Sequence, residues 1–108
     1  MDSRPIGVFD SGMGGLTVLH ECLVTMPHED FVYLGDHARL PYGPRPLPEI
    51  RRFAFEIAGY LEAQGVKLIV VACNAATSAA LPDLQSELTV PVVGVIAPEA
   101  HTAVQTKV

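Results

Sequence analysis

The feature that most constrains the fold is the run Lys67-Leu-Ile-Val-Val-Ala72. After its lysine this run is apolar at every position, without the alternation of a strand that has one face in water. A strand that is apolar on both faces is typical of a parallel sheet covered by helices on both sides. Shorter strand-like runs occur at 5–10, 31–34 and 91–96, and helical segments alternate with them. The sequence therefore predicts an α/β fold in which right-handed crossovers build a parallel sheet with helices on both faces.

The helical segments between these strands have clear starts and stops. Apolar residues recur at helical spacing over 16–26, 49–64 and 75–88, and Pro27 and Gly65 supply stop signals. The proline-rich stretch 37–48 is expected to form a loop of one defined shape. Pro98 opens a further helical pattern that continues to Val108 without a stop signal. We therefore expect a domain over 1–97 and, over 98–108, the start of a helix that leads to a second domain missing from this chain. The predicted first helix carries Leu16, Leu19, Leu23 and Met26, and the last one carries Ala100, Val104 and Val108.

The composition narrows the class of protein. The chain has 108 residues, 49% of them hydrophobic and 18% charged, which suits one globular domain. A net charge of −5 with seven basic residues argues against a nucleic-acid surface. The start of the sequence lacks a signal-like segment, and no apolar stretch has the length of a bilayer span. We therefore expect a soluble, cytoplasmic chain with neither a nucleic acid nor a membrane as partner.

Three polar clusters each follow a predicted strand directly. They are Asp-Ser-Gly at 10–12, the stretch 36–43 with Asp36 and Pro-Tyr-Gly, and Cys-Asn-Ala-Ala-Thr at 73–77. Because parallel strands point the same way, the three clusters should share the carboxyl edge of the sheet, where open α/β sheets bind ligands. The glycines at 12, 14 and 15 do not complete a dinucleotide-binding motif, since Thr17 stands where a glycine is needed. The sequence therefore predicts a ligand site at this edge, with weak support for a nucleotide.

Cys73 is the residue in these clusters whose side chain is chemically the most reactive. It ends a strand just before a helix, where the helix dipole and the first N–H groups favour an anion, either a thiolate or a ligand carboxylate. There is no C-x-x-C and no Cys/His ligand spacing, so neither a dithiol redox site nor a metal site is expected. The roles that remain for Cys73 are those of a nucleophile or a base. Asn74 and Thr77 can donate hydrogen bonds to a ligand there.

Other polar residues have ordinary explanations beside the functional ones. Asp10 and Ser11 are equally suited to capping the first helix. Asp36 is also a turn former, Tyr42 can pack against proline, and His37 suits a solvated loop close to the site. Cys22 is expected to behave as a small buried hydrophobe within its helix. His20, His28 and His101 show no ligand spacing and are expected at the surface.

Taken together, three motifs carry a resemblance to a known family. The stretches D-S-G-x-G-G-L-T-V at 10–18, G-D-x-A-R-x-P-Y-G at 35–43 and V-A-C-N at 71–74 occur in order. The region from about Ile6 to Val95 thus resembles the amino-terminal half of the cofactor-independent glutamate racemases. The resemblance implies two similar α/β domains that face each other across a substrate cleft. It also implies interconversion of L- and D-glutamate by α-proton transfer without cofactor or metal, and D-glutamate used for bacterial peptidoglycan.

The resemblance also implies roles for individual residues. Cys73 would be one of two catalytic cysteines, and Asp10 would act beside the reacting centre. The second cysteine belongs to the other domain in this family, so the chain alone is expected to be inactive. Ala75 and His37 depart from the family pattern, which has threonine at both positions, and His37 could add a donor or proton relay. The residues implied in substrate binding are Asp10, Ser11, Tyr42, Gly43, Asn74, Ala75 and Thr77.

Three other functions remain open. A racemase of the same family could act on aspartate or a related amino acid. A non-catalytic α/β module could bind a ligand, with Cys73 merely a small residue at a turn. A cysteine hydrolase would need a base, for which His37 is the one candidate. A homodimer of the full-length protein is also left open.

Overall fold

The strands form one parallel sheet, as the sequence predicts. The computed structural model of the chain describes residues 2–12 and 15–95. Its sheet has the order β2-β1-β3-β4, and each neighbouring pair is parallel. β1 therefore lies between β2 and β3, and its carboxyl end has a strand end on either side. The strands are β1 (Ile6–Asp10), β2 (Phe31–Gly35), β3 (Leu68–Val71) and β4 (Val92–Gly94).

Within residues 15–95, three helices and one short 3₁₀ helix connect or flank these strands. They are α1 (Gly15–Thr25), the 3₁₀ helix His37–Arg39, α2 (Leu47–Ala63) and α3 (Asn74–Glu87). α2 begins two residues earlier than predicted, because Pro48 lies in its first turn, where a missing N–H removes no helical hydrogen bond. Gly65 follows α2 with a φ of +81°, a conformation that ends helices. The predicted boundary at 97 and the helix over 98–108 lie outside the described residues.

Helices cover both faces of the sheet. α2 and α3 pack on one face against Phe9, Ile69 and Val71, whereas α1 packs on the other face against Val8 and Val70. Burying a valine or isoleucine side chain fully contributes about 1.5–3 kcal/mol. β3, whose side chains alternate between the two apolar clusters, is thus buried on both faces as its sequence predicts. Within the described ranges, no helix combines the length and the apolar composition that crossing a membrane would require.

The buried side of α1 differs from what residue spacing suggests. Val18 is buried, whereas Leu16 and Leu23 are 63% and 45% exposed. α1 is apolar on most of its sides, so its sequence alone does not tell which side meets the sheet. A cavity of about 260 Å³ lies between α1 and the end of β4, lined in part by Cys22, Met26 and Val95.

Candidate active site

Backbone hydrogen bonds bring the three polar clusters to one edge. The Asp36 N–H donates to the Asp10 carbonyl oxygen at 3.0 Å, on the β2 side of β1. On the β3 side, the Ala72 N–H donates to the Phe9 carbonyl oxygen at 2.8 Å. Cys73 is the next residue along the chain. The end of β1 is therefore bonded to the second cluster on one side and to the residue preceding the third cluster on the other.

Asp10 is a fully buried carboxylate whose two oxygens differ in their hydrogen bonding. Its Oδ1 accepts hydrogen bonds from the Gly12 N–H and the Tyr33 hydroxyl, both at 2.9 Å. Its Oδ2 is buried and finds no partner among the described residues. Leaving a buried acceptor unsatisfied costs about 1–3 kcal/mol, and more for a charged group. Oδ2 is thus available to a donor such as a reacting group or a ligand.

The turn after Asp10 depends on a glycine. Gly12 has a φ of +101°, which residues with a side chain rarely adopt. A Cβ at Gly12 would lie 3.1 Å from His37 Cδ2, so the first and second clusters touch at this point. His37 is exposed, and its Nδ1 lies 3.1 Å from the Gly35 carbonyl oxygen. Ser11, between Asp10 and Gly12, is 6% exposed.

Cys73 lies at the junction of β3 and α3. Its φ of −125° and ψ of 122° are extended, and it is the N-cap residue of α3. Only 5% of the residue is exposed, and it belongs to the apolar cluster that contains Phe9 and Tyr42. The first turn of α3 contains no acidic residue. The positive end of the helix dipole is therefore left for an anion, whether a thiolate or a ligand carboxylate.

The other residues of the third cluster lie on the first turn of α3. Asn74 is exposed, and Ala75 is half-buried. The Thr77 hydroxyl oxygen is buried and has no partner among the residues that the structure describes. A Cβ at Gly94 would lie 3.1 Å from Thr77 Cγ2, so the Thr77 side chain lies against the end of β4. Thr77 thus adds a second unsatisfied polar atom at this edge of the sheet.

Tyr42 and Asp36 form a buried pair within the second cluster. The Tyr42 hydroxyl donates to Asp36 Oδ2 at 2.5 Å, and the two residues are 1% and 8% exposed. Burial and the Asp36 hydrogen bond raise the pKa of Tyr42 well above its ordinary range. The Tyr42 ring lies 6.5 Å from the Phe9 ring and 5.5 Å from the Phe53 ring, centroid to centroid. The hydroxyl is therefore occupied, and Asp36 has a larger role than that of a turn former.

Arg39 ties this pair to α2. Its Nε donates to Asp36 Oδ2 at 2.7 Å, and its Nη1 donates to Glu56 Oε1 at 2.5 Å. The guanidinium carbon also lies 4.0 Å from the centroid of the Phe53 ring. Gly43, one residue beyond Tyr42, is exposed, with open space where a side chain would begin. Sequence reasoning missed Arg39, although it stands inside the second motif.

The second cysteine and the remaining histidines lie apart from this edge. Cys22 is half-buried against the α1-face cluster, the apolar residues that include Val8 and Val70. Burial, with a contribution from Glu21, raises the pKa of the Cys22 thiol. His20 and His28 are exposed, and His101 lies outside the described residues. No group of three or more potential metal ligands occurs within residues 2–12 and 15–95. The site therefore consists of carboxylate, thiol, hydroxyl and amide groups with helix N–H groups.

Comparison with known proteins points to one family. The family model described as Asp/Glu/Hydantoin racemase matches residues 16–107. A glutamate racemase of Thermus thermophilus is 64% identical over 99 residues, which are 92% of this chain and 38% of that protein. The chain thus spans about two fifths of the length of this relative.

Solved structures give the same result. A crystal structure of the Thermus thermophilus glutamate racemase in complex with β-chloro-D-alanine matches with a TM-score of 0.84 and 62% identity, over 94% of this chain and 40% of that one. The Francisella tularensis glutamate racemase in complex with D-glutamate matches with a TM-score of 0.82 and 43% identity, over 87% of this chain and 36% of that one. The fold described above is thus a part of the fold of these enzymes.

Proposed function

Because the chain belongs to the Asp/Glu/hydantoin racemase family, we propose that it supplies one half of the active site of a glutamate racemase. The whole protein would interconvert L- and D-glutamate. The observation that carries the proposal is that a buried carboxylate, Asp10, and a thiol, Cys73, lie at the ends of the neighbouring strands β1 and β3, on the edge of the sheet where α3 begins. A thiol can act as the acid or base, and a helix amino terminus can bind the substrate carboxylate, so both features suit proton transfer on an amino acid.

The chemistry is a proton transfer at Cα. The Cys73 thiolate takes the α-proton from one enantiomer and becomes a thiol, while the electron pair of the C–H bond stays on the substrate. A second acid then delivers a proton to the opposite face of the carbon. No electrons are gained or lost overall, so the reaction needs neither an oxidant nor a reductant. Two opposed groups suffice, and this chain would supply one of them.

The carbanion must be stabilised by groups already in place. Backbone N–H groups near Ser11, Gly43 and Ala75 would hold the carboxylate on which its charge accumulates. The family's threonine hydroxyl is absent at Ala75, but its backbone N–H remains. The Asn74 amide and the Thr77 hydroxyl would bind the polar ends of glutamate.

Asp10 and Tyr42 would contribute to the site in different ways. Asp10, whose Oδ2 has no partner among the described residues, would accept a hydrogen bond beside the reacting centre. The Tyr42 hydroxyl is taken by Asp36, so Tyr42 would contribute through its backbone and by shaping the wall of the site. His37 would remain a candidate donor or proton relay between the first two clusters.

The remainder of the active site would come from outside this chain. A second thiol on the opposite face of the substrate would come from a second domain, which 98–108 would lead into from the domain over 1–97. The curated Thermus thermophilus relative is long enough for this, since the chain covers 38% of it. The product, D-glutamate, would enter peptidoglycan synthesis in the bacterial cytoplasm.

The experiment that tests this function follows the α-proton. The longest natural form of the chain is incubated in deuterium oxide with each enantiomer of glutamate, and exchange is followed by NMR. We expect exchange and interconversion, which Cys73→Ser abolishes for at least one enantiomer and Cys22→Ser leaves unchanged. A folded wild-type protein that exchanges neither enantiomer would overturn the proposal. Faster exchange of aspartate than of glutamate would instead favour the aspartate racemase.

A further inference from the structure

We propose that Tyr33 is a positioning residue for Asp10, whose hydroxyl fixes the carboxylate so that Oδ2 faces the reacting groups. The inference rests on the proposed function, which places Asp10 beside the reacting centre. The Tyr33 hydroxyl and the Gly12 N–H both donate to Oδ1, each at 2.9 Å. Oδ2 has no partner within the described part of the chain. The two donors therefore leave one defined oxygen available.

The register of the sheet brings Tyr33 to Asp10. β1 and β2 pair in parallel, with Val8 opposite Tyr33 and Asp10 opposite Gly35. Side chains two residues apart on a strand share a face, so Tyr33 lies on the same face as Asp10 and one step behind it. Its side chain reaches forward along β2, over position 35, to the carboxylate.

Gly35 leaves the room that this contact needs. A Cβ at Gly35 would lie 2.8 Å from the Tyr33 hydroxyl oxygen and 3.0 Å from Asp10 Oδ1. The same Cβ would lie 2.7 Å from His37 Cε1, so a side chain at this position would displace His37, the Tyr33 hydroxyl or both. The hydrogen bond thus depends on two positions of β2. Position 33 supplies the hydroxyl, and position 35 must be a glycine.

Tyr33 remains a donor throughout the neutral pH range. Burial and, next, the hydrogen bond to Asp10 raise its pKa to about 12. Its hydroxyl proton is therefore retained where the enzyme would work. Without this hydroxyl, the Gly12 N–H would be the one described donor left to Asp10. Rotation about the Cβ–Cγ bond would then let either carboxylate oxygen accept the hydrogen bond from Gly12. The reacting groups would then meet a carboxylate without a fixed orientation.

A purely structural role for Tyr33 must be distinguished from this one. The Tyr33 ring packs against the α1-face cluster that contains Ile6 and Val8. Tyr33→Phe keeps the ring and removes only the hydroxyl, so it separates packing from positioning. Tyr60→Phe makes the same chemical change on the outer side of α2, where Tyr60 is 52% exposed, and serves as the matched control.

The experiment compares these variants in the longest natural form of the chain. It measures kcat and KM for both enantiomers, together with the primary isotope effect of α-deuterated glutamate. For Tyr33→Phe we expect kcat/KM to fall roughly tenfold, mostly through kcat, because the carboxylate loses the orientation that the proton transfer needs. The fall must be equal in both directions, since the enantiomers have equal free energies in water. Tyr60→Phe should match the wild type.

The isotope effects separate positioning from loss of folded protein. A slower Cys73 step should raise the isotope effect for the enantiomer that Cys73 deprotonates and lower it for the other. Unchanged kinetics in Tyr33→Phe, or a lower kcat with both isotope effects unchanged, would overturn the inference while the proposed function stands. A wild-type protein without α-proton exchange would overturn both.

Discussion

The Tyr42 hydroxyl donates to Asp36 Oδ2 at 2.5 Å, and both residues are almost completely buried. The two residues are six positions apart within the loop that connects β2 to α2. Arg39, between them, binds the same carboxylate oxygen and reaches Glu56 on α2. A network of charged and hydroxyl groups therefore holds this loop from inside, and Gly43 directly follows its tyrosine.

Removing the Tyr42 hydroxyl should weaken the fold measurably. In Tyr42→Phe, the buried Asp36 loses one of its two described donors, and an under-satisfied buried charge costs about 1–3 kcal/mol. We expect the free energy of unfolding to fall by this amount in urea titrations. Tyr60→Phe, at an exposed position, should leave it within error of the wild type. Equal unfolding free energies for Tyr42→Phe and the wild type would show that the network does not stabilise the loop.

The half-buried Tyr33 and the buried Tyr42 predict a loss of stability in alkali. Folding raises the pKa of Tyr33 from 10.0 to about 12 and also raises that of Tyr42, in both cases mainly through burial. A pKa raised on folding stabilises the protein fully below the unfolded value and less as the pH rises above it. The urea midpoint should therefore fall between pH 10 and 12. The fall should be smaller in Tyr33→Phe and in Tyr42→Phe, and an equally steep fall in both variants would contradict this origin.

The parts of the fold that the sequence predicts are those that short-range patterns determine. The apolar run at 67–72 requires cover on both faces, and that requirement gives the parallel sheet and the shared edge of the three clusters. Strand ends follow the same patterns, so Cys73 and Asp10 are located at the edge without any knowledge of the loops.

The contacts that the sequence does not reveal are those set by register and loop shape. Tyr33 and Asp10 are 23 positions apart and meet only because β1 and β2 pair in one particular register. The Tyr42–Asp36 contact depends on the path of a loop whose prolines indicate rigidity but not direction. The buried side of α1 is undetermined because apolar residues cover most of its circumference.

A substitution at Thr77 can test whether its hydroxyl lowers the stability of the fold while it binds the substrate. Its buried hydroxyl has no partner among the described residues, and replacing such a group by an apolar one of the same shape can stabilise a protein. We expect Thr77→Val to raise the free energy of unfolding by about 1 kcal/mol, whereas Thr77→Ser should not. In the longest natural form of the chain, Thr77→Val should raise the KM for glutamate, because the hydroxyl is proposed to bind it. A more stable variant with an unchanged KM would remove Thr77 from the binding site.

The chain of 108 residues alone should not interconvert the enantiomers of glutamate. Racemisation needs a proton taken from one face of Cα and returned to the other, and Cys73 is proposed to act on one face only. Cys22 is not expected to supply the second thiol, because it lies on α1 and packs against the apolar cluster with Val8 and Val70, apart from the carboxyl edge of the sheet.

A chimera tests whether a second half restores activity. In it, this chain replaces the matching 38% of the Thermus thermophilus enzyme. Circular dichroism of D- and L-glutamate should show no interconversion with the isolated chain and full interconversion with the chimera. Cys73→Ser should abolish the activity of the chimera, and Cys22→Ser should preserve it. Interconversion by the isolated chain would mean that both proton-transferring groups lie within these residues.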